Sequence, residues 1–208
     1  MTAGPAILFA TGAGLPSTAP WMVAWAARLG ALGPVRPFDW PYLAAGRKRP
    51  DPPEVLLATH REALTRLREA FPGRPVALVG KSMGGRLGCH LASAVAVDAL
   101  VCLGYPLRSP AGALRDEVLV ALRTPVLFVQ GTRDVKAPLD ALDAVRARMT
   151  ARSALHVVPT GDHSLQVTRA HTRATGRTQA DEDAAALAAI RDFLSSVLAG
   201  PAGASEAS

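Results

Sequence analysis

The stretch Val76-Ala77-Leu78-Val79-Gly80-Lys81-Ser82-Met83-Gly84-Gly85 leaves the chain little freedom. Four apolar residues, two of them β-branched, read as a buried strand. Helical spacing begins straight after Ser82, so strand and helix join with no loop between them. In so tight a turn, a side chain two residues before or after Ser82 would strike backbone. Gly80 and Gly84 remove that obstacle, because glycine has no Cβ and tolerates strained dihedrals. A strand, a serine between two glycines and a helix form the order of a nucleophile elbow, which lifts the serine hydroxyl clear of a sheet. The Met83 N–H, at the helix start, can then face a developing negative charge. Gly80-Lys81-Ser82 also ends the phosphate-binding pattern G-x-x-x-x-G-K-[ST], but that pattern needs a glycine five positions before Gly80, where Pro75 stands.

The rest of the chain repeats the strand–helix alternation. Strands are expected at 6–10, 34–39, 75–80, 98–103, 125–130 and 154–158. Helices are expected at 20–31, 54–70, 83–96, 112–122, 138–149 and 181–198. Alternation of this kind implies parallel strands joined by right-handed crossovers. Segments apolar throughout, such as Pro125-Val126-Leu127-Phe128-Val129, imply helices on both faces of the sheet. The last helix opens with Asp181, Glu182 and Asp183 at its positive end and continues with Leu187, Ile190, Leu194 and Val197 at helical spacing. The expected architecture is a single α/β domain over 1–199, with about six mostly parallel strands, helices on both faces and no large cap. The tail 200–208 is expected to be disordered.

At 208 residues and 49% hydrophobic, the chain fits one folded domain. The formal charge of +6 comes from arginines spread along the whole length, with only three lysines, so a solvated cationic surface is expected rather than a nucleic-acid or membrane partner. No apolar run reaches the roughly 18 residues that a membrane span needs, and no signal segment is seen, so a cytoplasmic protein is expected. Cys89 and Cys102 read as buried free thiols. His60, His90, His156 and His171 are scattered, no metal motif appears, and neither a metal nor a cofactor is expected. His60 and His90 fall within helices and read as structural.

A nucleophile at Ser82 needs a base, and the base needs an orienting acid. In a parallel sheet both should project from the carboxyl ends of later strands. Asp134, in Gln130-Gly131-Thr132-Arg133-Asp134, and His163, in Gly161-Asp162-His163-Ser164, satisfy this. Asp162 is the alternative acid, although an immediate neighbour is poorly placed to bond the imidazole. A second oxyanion donor beside Met83 is expected from Ala13, in the loop Thr11-Gly12-Ala13-Gly14 after the first strand. The same loop also permits a rival dinucleotide-binding reading, with Asp39 as the ribose acid, although Ser17 replaces the third glycine and Pro16 interrupts the turn.

The segments Gly12-Ala13-Gly14, Pro20-Trp21-Met22, Pro41-Tyr42, Gly80-Lys81-Ser82-Met83-Gly84-Gly85-Arg86, Leu103-Gly104-Tyr105-Pro106 and Gly161-Asp162-His163 together resemble the α/β-hydrolase superfamily. More narrowly, they resemble a small lidless branch of testis-expressed hydrolase-like proteins and bacterial relatives, of dienelactone-hydrolase-like size. The order Ser, acid, His belongs to that superfamily. The resemblance implies Ser82 as nucleophile, Asp134 as acid and His163 as base. Two departures stand out. Many relatives carry His where Thr11 stands, and a His- and Pro-rich stretch is only partly kept at 107–110.

These readings imply a serine hydrolase of esterase type, acting through an acyl-enzyme on a small ester or thioester. Only about 20 residues separate Gly104 from Thr124, so the site should be open. Gly12, Tyr42 and Tyr105 are the expected substrate walls, whereas Trp21 is expected to pack in the core. The basic stretch 164–180, with Arg169, His171, Arg173 and Arg177, leaves directly from the base. It is expected to overhang the site; a merely solvated loop is the favoured reading, and a preference for anionic substrates is the alternative. A scaffold that keeps the elbow for packing is the alternative function, and the sequence leaves monomer or dimer open.

Overall fold

The computed structural model describes residues 4–199, so the expected 200–208 tail lies outside the described residues. Six strands form one sheet: β1 Ala6–Ala10, β2 Val35–Phe38, β3 Val76–Lys81, β4 Ala99–Leu103, β5 Val126–Gly131 and β6 Ser153–Val158. Their order is β2-β1-β3-β4-β5-β6, and every pairing is parallel. The helices are α1 Pro20–Leu29, α2 Pro41–Ala44, α3 Pro53–Ala70, α4 Met83–Ala92, α5 Glu117–Ala121, α6 Leu139–Arg146, α7 Arg169–Thr175 and α8 Gln179–Leu198.

The apolar strands bury both faces, and successive side chains alternate between them. Ala6, Leu8, Val76, Leu78, Leu100, Cys102, Val126 and Phe128 pack under α3, α4, α5 and α6. Ile7, Phe9, Ala77, Val79, Ala99, Val101, Leu127 and Val129 pack under α1 and α8 on the other face. Cys89 and Cys102 are free and buried, with their sulfurs 3.8 Å apart between α4 and β4.

All six expected strands are present within one residue at each end. The helices differ more. α4 stops at Ala92 and α5 shrinks to Glu117–Ala121, because the residues before α5 form a turn pinned by an Arg108–Leu114 bridge. The stretch 164–180 contains α7, capped at its start by the Thr168 hydroxyl and at its end by Gly176 in the left-handed region. α8 starts two residues early through a Thr178–Asp181 capping box. Glu182 and Asp183 are more than dipole partners. Both are buried, and Asp183 pairs with Arg28 at 2.8 Å, tying α8 to α1.

A candidate active site at the carboxyl edge of the sheet

Ser82 sits between β3 and α4 with φ 50° and ψ −113°, a backbone region that non-glycine residues rarely adopt. The turn is held from both sides: Ser82 N–H donates to the Leu103 carbonyl at 3.0 Å, and Arg86 N–H to the Ser82 carbonyl at 3.1 Å. The two flanking glycines are sterically required. A Cβ on Gly80 would lie 2.2 Å from the Gly85 nitrogen, and one on Gly84 would lie 2.5 Å from the Ala10 carbonyl oxygen.

His163 projects from the loop after β6, and Asp134 from the loop after β5. His163 Nε2 lies 2.8 Å from Ser82 Oγ, and His163 Nδ1 lies 2.7 Å from Asp134 Oδ2. An ionised carboxylate only accepts, so Nδ1 donates to Asp134 and Nε2 is left to accept from the serine hydroxyl. Two further donors reach Asp134: the Lys136 N–H at 2.9 Å to Oδ1, and the Gln130 amide to Oδ2. Burial alone would raise the Asp134 pKa, but the bonds from His163, Lys136 and Gln130 outweigh it and hold the carboxyl below its usual range. Burial lowers the His163 pKa, and the Lys81 and Lys136 charges add to this against the upward pull of Asp134. The imidazole is therefore neutral near pH 7, as a proton acceptor must be.

Asp162 is not the acid partner. Its Oδ1 accepts from the Ser164 N–H at 2.7 Å and the Gln166 N–H at 3.0 Å, which shapes the base loop. The acid and base loops are joined directly, with Arg133 N–H donating to Gly161 O at 2.9 Å and Thr160 N–H to Thr132 Oγ1 at 2.9 Å.

Lys81 is a part of the site that the sequence reading passed over. It is 3% exposed, its ammonium donates to the His163 carbonyl, and it lies 5.6 Å from the centre of the Trp21 ring. Burial brings its pKa down to about 8. Trp21 Nε1 donates to Ser164 O at 2.8 Å, so lysine and tryptophan together hold the base loop against the elbow. Gln130 was missed as well. It bridges Asp134 and the Tyr105 N–H, which donates to its Oε1 at 3.0 Å. A glutamine closing an otherwise apolar strand is the one local signal for it.

The loop after β1 lies across from the elbow, and Ala13 lines the same cleft as Ser82 and Met83. Met83 is the first residue of α4, so its N–H precedes the intrahelical ladder. The expected walls need correction. Tyr42 is fully buried, and its hydroxyl donates to the Ala13 carbonyl at 2.6 Å, so it supports the loop from beneath. Trp40 Nε1 does the same for the Thr11 carbonyl at 2.9 Å. These two donors order the loop around Thr11. Tyr105 is also fully buried, stacked edge-on against Phe128 in the core. Gly12 packs against the elbow: a Cβ there would come 3.9 Å from Ser82 Cβ.

The dinucleotide-binding reading fails on geometry. A Gly12–Leu15 bridge closes the glycine turn, and α1 begins only at Pro20, so no helix N-terminus opens onto these glycines. Asp39 is occupied by Ser17, accepting from its N–H at 2.7 Å and its hydroxyl at 2.6 Å. Among the described residues, no group of three or more His, Cys, Asp or Glu could hold a metal ion, and no helix is long and apolar enough to cross a membrane.

The basic stretch 164–180 does not rim the cleft. His171 and Arg177 both turn to the buried Glu182, at 3.0 Å and 2.6 Å, and so brace the start of α8. The cleft beside Ser82 is about 460 Å³ and is walled by Pro50, Leu56, Pro106 and Pro110 together with Arg86, Arg108, Arg115 and Lys136. A second cleft, of about 650 Å³, opens at the opposite end of the sheet around Pro5, Pro75 and Leu198, far from this chemistry.

Comparison with solved structures agrees with this architecture. An alpha-beta serine hydrolase homologue from Coxiella burnetii superposes with a TM-score of 0.68 at 18% identity, covering 94% of this chain and 85% of its own. An alpha/beta serine hydrolase without a lid from Xanthomonas campestris gives 0.68 at 16%, covering 93% and 84%. Dienelactone hydrolase from Anabaena variabilis gives 0.66 at 20%, covering 95% and 86%. At these identities the likeness speaks for the fold alone. The alpha/beta hydrolase domain family, however, matches residues 3–195, nearly the whole of the described chain, and the protein belongs to that family.

Proposed function

We propose that the protein is a cytoplasmic serine hydrolase that cleaves a small carboxylic ester or thioester through an acyl-enzyme on Ser82. One observation carries this reading: the unbroken line Ser82 Oγ, His163 Nε2, His163 Nδ1, Asp134 Oδ2, with contacts of 2.8 and 2.7 Å. His163 takes the serine proton as Oγ attacks the carbonyl carbon, and returns it to the leaving group as the tetrahedral intermediate collapses. Asp134 fixes the tautomer and stabilises the imidazolium. The Met83 and Ala13 amides bind the oxyanion, and the loss of one such donor costs about 10²–10³ in rate. Water activated by His163 then releases the acyl group. Two related folds that are named as serine hydrolases, one of them lidless, support the reaction class, and the dienelactone hydrolase supports an ester-like bond. The two free buried thiols suit a reducing compartment.

A fluorophosphonate probe tests the reading. Stoichiometric labelling of wild type, mapped to Ser82 by mass spectrometry and absent from Ser82→Ala, is the expected result. If the folded protein stays unlabelled, the hydrolase assignment falls and a scaffold role takes its place.

A further inference from the structure

The cleft that receives the Ser82 hydroxyl is unusually rich in positive charge. Arg86, Arg108, Arg115 and Lys136 all line it, and Asp51 is the one carboxylate among its lining residues. Asp51 Oδ1 is engaged by Arg47 at 2.7 Å, and its Oδ2 is buried without a partner. Among the described residues, none of the four cations has a carboxylate within ion-pair distance.

The four are fixed by backbone rather than scattered at random. Arg86 stands one turn into α4, its N–H bonded to the Ser82 carbonyl. Its Nε is buried without a partner, and its only recorded side-chain neighbour within hydrogen-bond reach is His90 Nε2 at 3.3 Å. His90 brings no opposing charge, since an imidazole is either neutral or positive. Arg108 and Arg115 flank one pinned turn: Arg115 N–H donates to Leu107 O at 2.8 Å, and an Arg108–Leu114 bridge closes the turn. Arg108 N–H donates to Lys136 O at 2.8 Å, which joins this turn to the acid loop. The turn and the helix thus bring two guanidinium groups to one cleft, and burial, with the Arg115 charge added, lowers the Arg86 pKa. Holding like charges together without a counter-charge is unfavourable unless an anion completes the arrangement. Arginine forks match carboxylate and phosphate oxygens two at a time.

We propose that this cleft is an anion subsite, with Arg86 and Arg115 at its centre and Arg108 and Lys136 at its rim, and that the substrate is an ester or thioester bearing a second, ionised carboxylate or phosphate. This rests on the hydrolase reading above and adds its substrate class. It also places any anion preference on the β4–α5 turn and α4 instead of the 164–180 stretch, where His171 and Arg177 turn to Glu182.

The kinetic test compares two esters of equal size: the p-nitrophenyl half-ester of adipic acid, and the ester in which an isopropyl end replaces its free carboxylate. The charged ester should have at least a tenfold higher kcat/KM at low salt, carried by KM. The advantage should shrink at high salt, because screening reaches an open cleft. Arg115→Gln and Arg86→Gln should each cut the charged-to-neutral ratio about tenfold. Equal kcat/KM for the two esters, or a variant that slows both alike, would overturn the subsite while leaving the hydrolase reading intact. A binding test that needs no turnover separates the two claims. Adipate and, in a second arm, inorganic phosphate are titrated into Ser82→Ala by calorimetry, with and without Arg115→Gln. Saturable binding that weakens about tenfold in the double variant supports the subsite, and the arm that binds tighter names its anion. Absence of binding in both arms overturns it, whatever the fluorophosphonate probe reports.

Discussion

Gly131→Ala should separate catalysis from stability. Gly131 ends β5, and a Cβ built on it would lie 2.1 Å from the Gly161 carbonyl oxygen and 2.7 Å from the Asp162 oxygen. Contacts of a Cβ essentially never fall below 3.0 Å, so from 2.1 Å the Gly161 backbone must recede by nearly 1 Å. His163 follows two residues later, on the loop that Gly161 begins. A shift of that size carries the 2.8 and 2.7 Å contacts of His163 beyond useful hydrogen-bond range. Misplacement by about 1 Å costs about 10²-fold, or about 2.7 kcal/mol of transition-state stabilisation. The overpacking itself costs about 1–3 kcal/mol, which leaves a folded protein if its stability is the usual 5–15 kcal/mol or so. The assay is kcat/KM on a p-nitrophenyl ester, with the melting temperature measured on the same samples. Gly73→Ala is the control. Gly73 has φ +74° with open space around it and lies far from the site, so that variant loses about 1 kcal/mol through strain alone. If Gly131→Ala and Gly73→Ala lose similar stability and both keep full kcat/KM, the close approach of the two loops does not set the triad distances.

Three further outcomes follow from individual side chains. Because burial holds the His163 pKa below 6.5, the acidic limb of kcat/KM for a neutral ester should have its midpoint below pH 6.5; Lys81→Met removes a cation that depresses it, so a pH–rate profile of that variant should show the acidic limb moved upward. Asp134→Asn keeps the shape but presents the wrong hydrogen-bond character to Nδ1, and kcat should fall about 10⁴-fold with KM little changed in steady-state assays. His60 is buried between Phe38 and Trp40, both its ring nitrogens lack partners, and its pKa is lowered to about 3. Below pH 6.5 the unfolded chain takes up a proton that the native state refuses, so stability is lost as pH falls toward 3. At pH 4.5 that loss is about 3 kcal/mol, and His60→Leu should abolish it in urea titrations at pH 7 and 4.5.

The parts of the site legible in the sequence were those with a local cause. Gly80 and Gly84 announce the elbow because the clash they relieve involves backbone within a few residues. Asp134 and His163 could be found because the carboxyl ends of parallel strands are where such groups converge. Tyr42 and Tyr105 were misplaced as walls. Each is fully buried, and nothing local tells a tyrosine that supports a loop from one that lines a cleft. Lys81 and Gln130 were missed because their partners, the His163 carbonyl and Asp134, come from other loops. The 164–180 stretch does not overhang the cleft as expected, because the partner that draws in His171 and Arg177, Glu182, lies on the following helix. Local sequence reveals backbone requirements; side-chain pairing across elements becomes visible only once the strands are in order.

That order also explains why reactivity and selectivity can vary independently here. The sheet runs outward in opposite directions from β1 and β3, so the loop after β1 and the elbow after β3 diverge and leave a crevice at the switch point. The candidate triad and its loops are fixed there by bonds to backbone: Ser82 through Leu103 and Arg86, the acid loop through Gly161, the base loop through the Lys81 and Trp21 side chains, and the β1 loop through the Trp40 and Tyr42 side chains. Two of the four cleft charges, Arg108 and Arg115, come instead from side chains on a short turn between β4 and α5 that bears no strand. Exchanging arginine for a neutral residue on that turn leaves in place the backbone bond from Arg108 N–H to Lys136 O that joins it to the acid loop. Changes at Arg108 and Arg115 should therefore alter which ester is bound, whereas changes at Gly84 or Gly131 should alter whether any ester is cleaved.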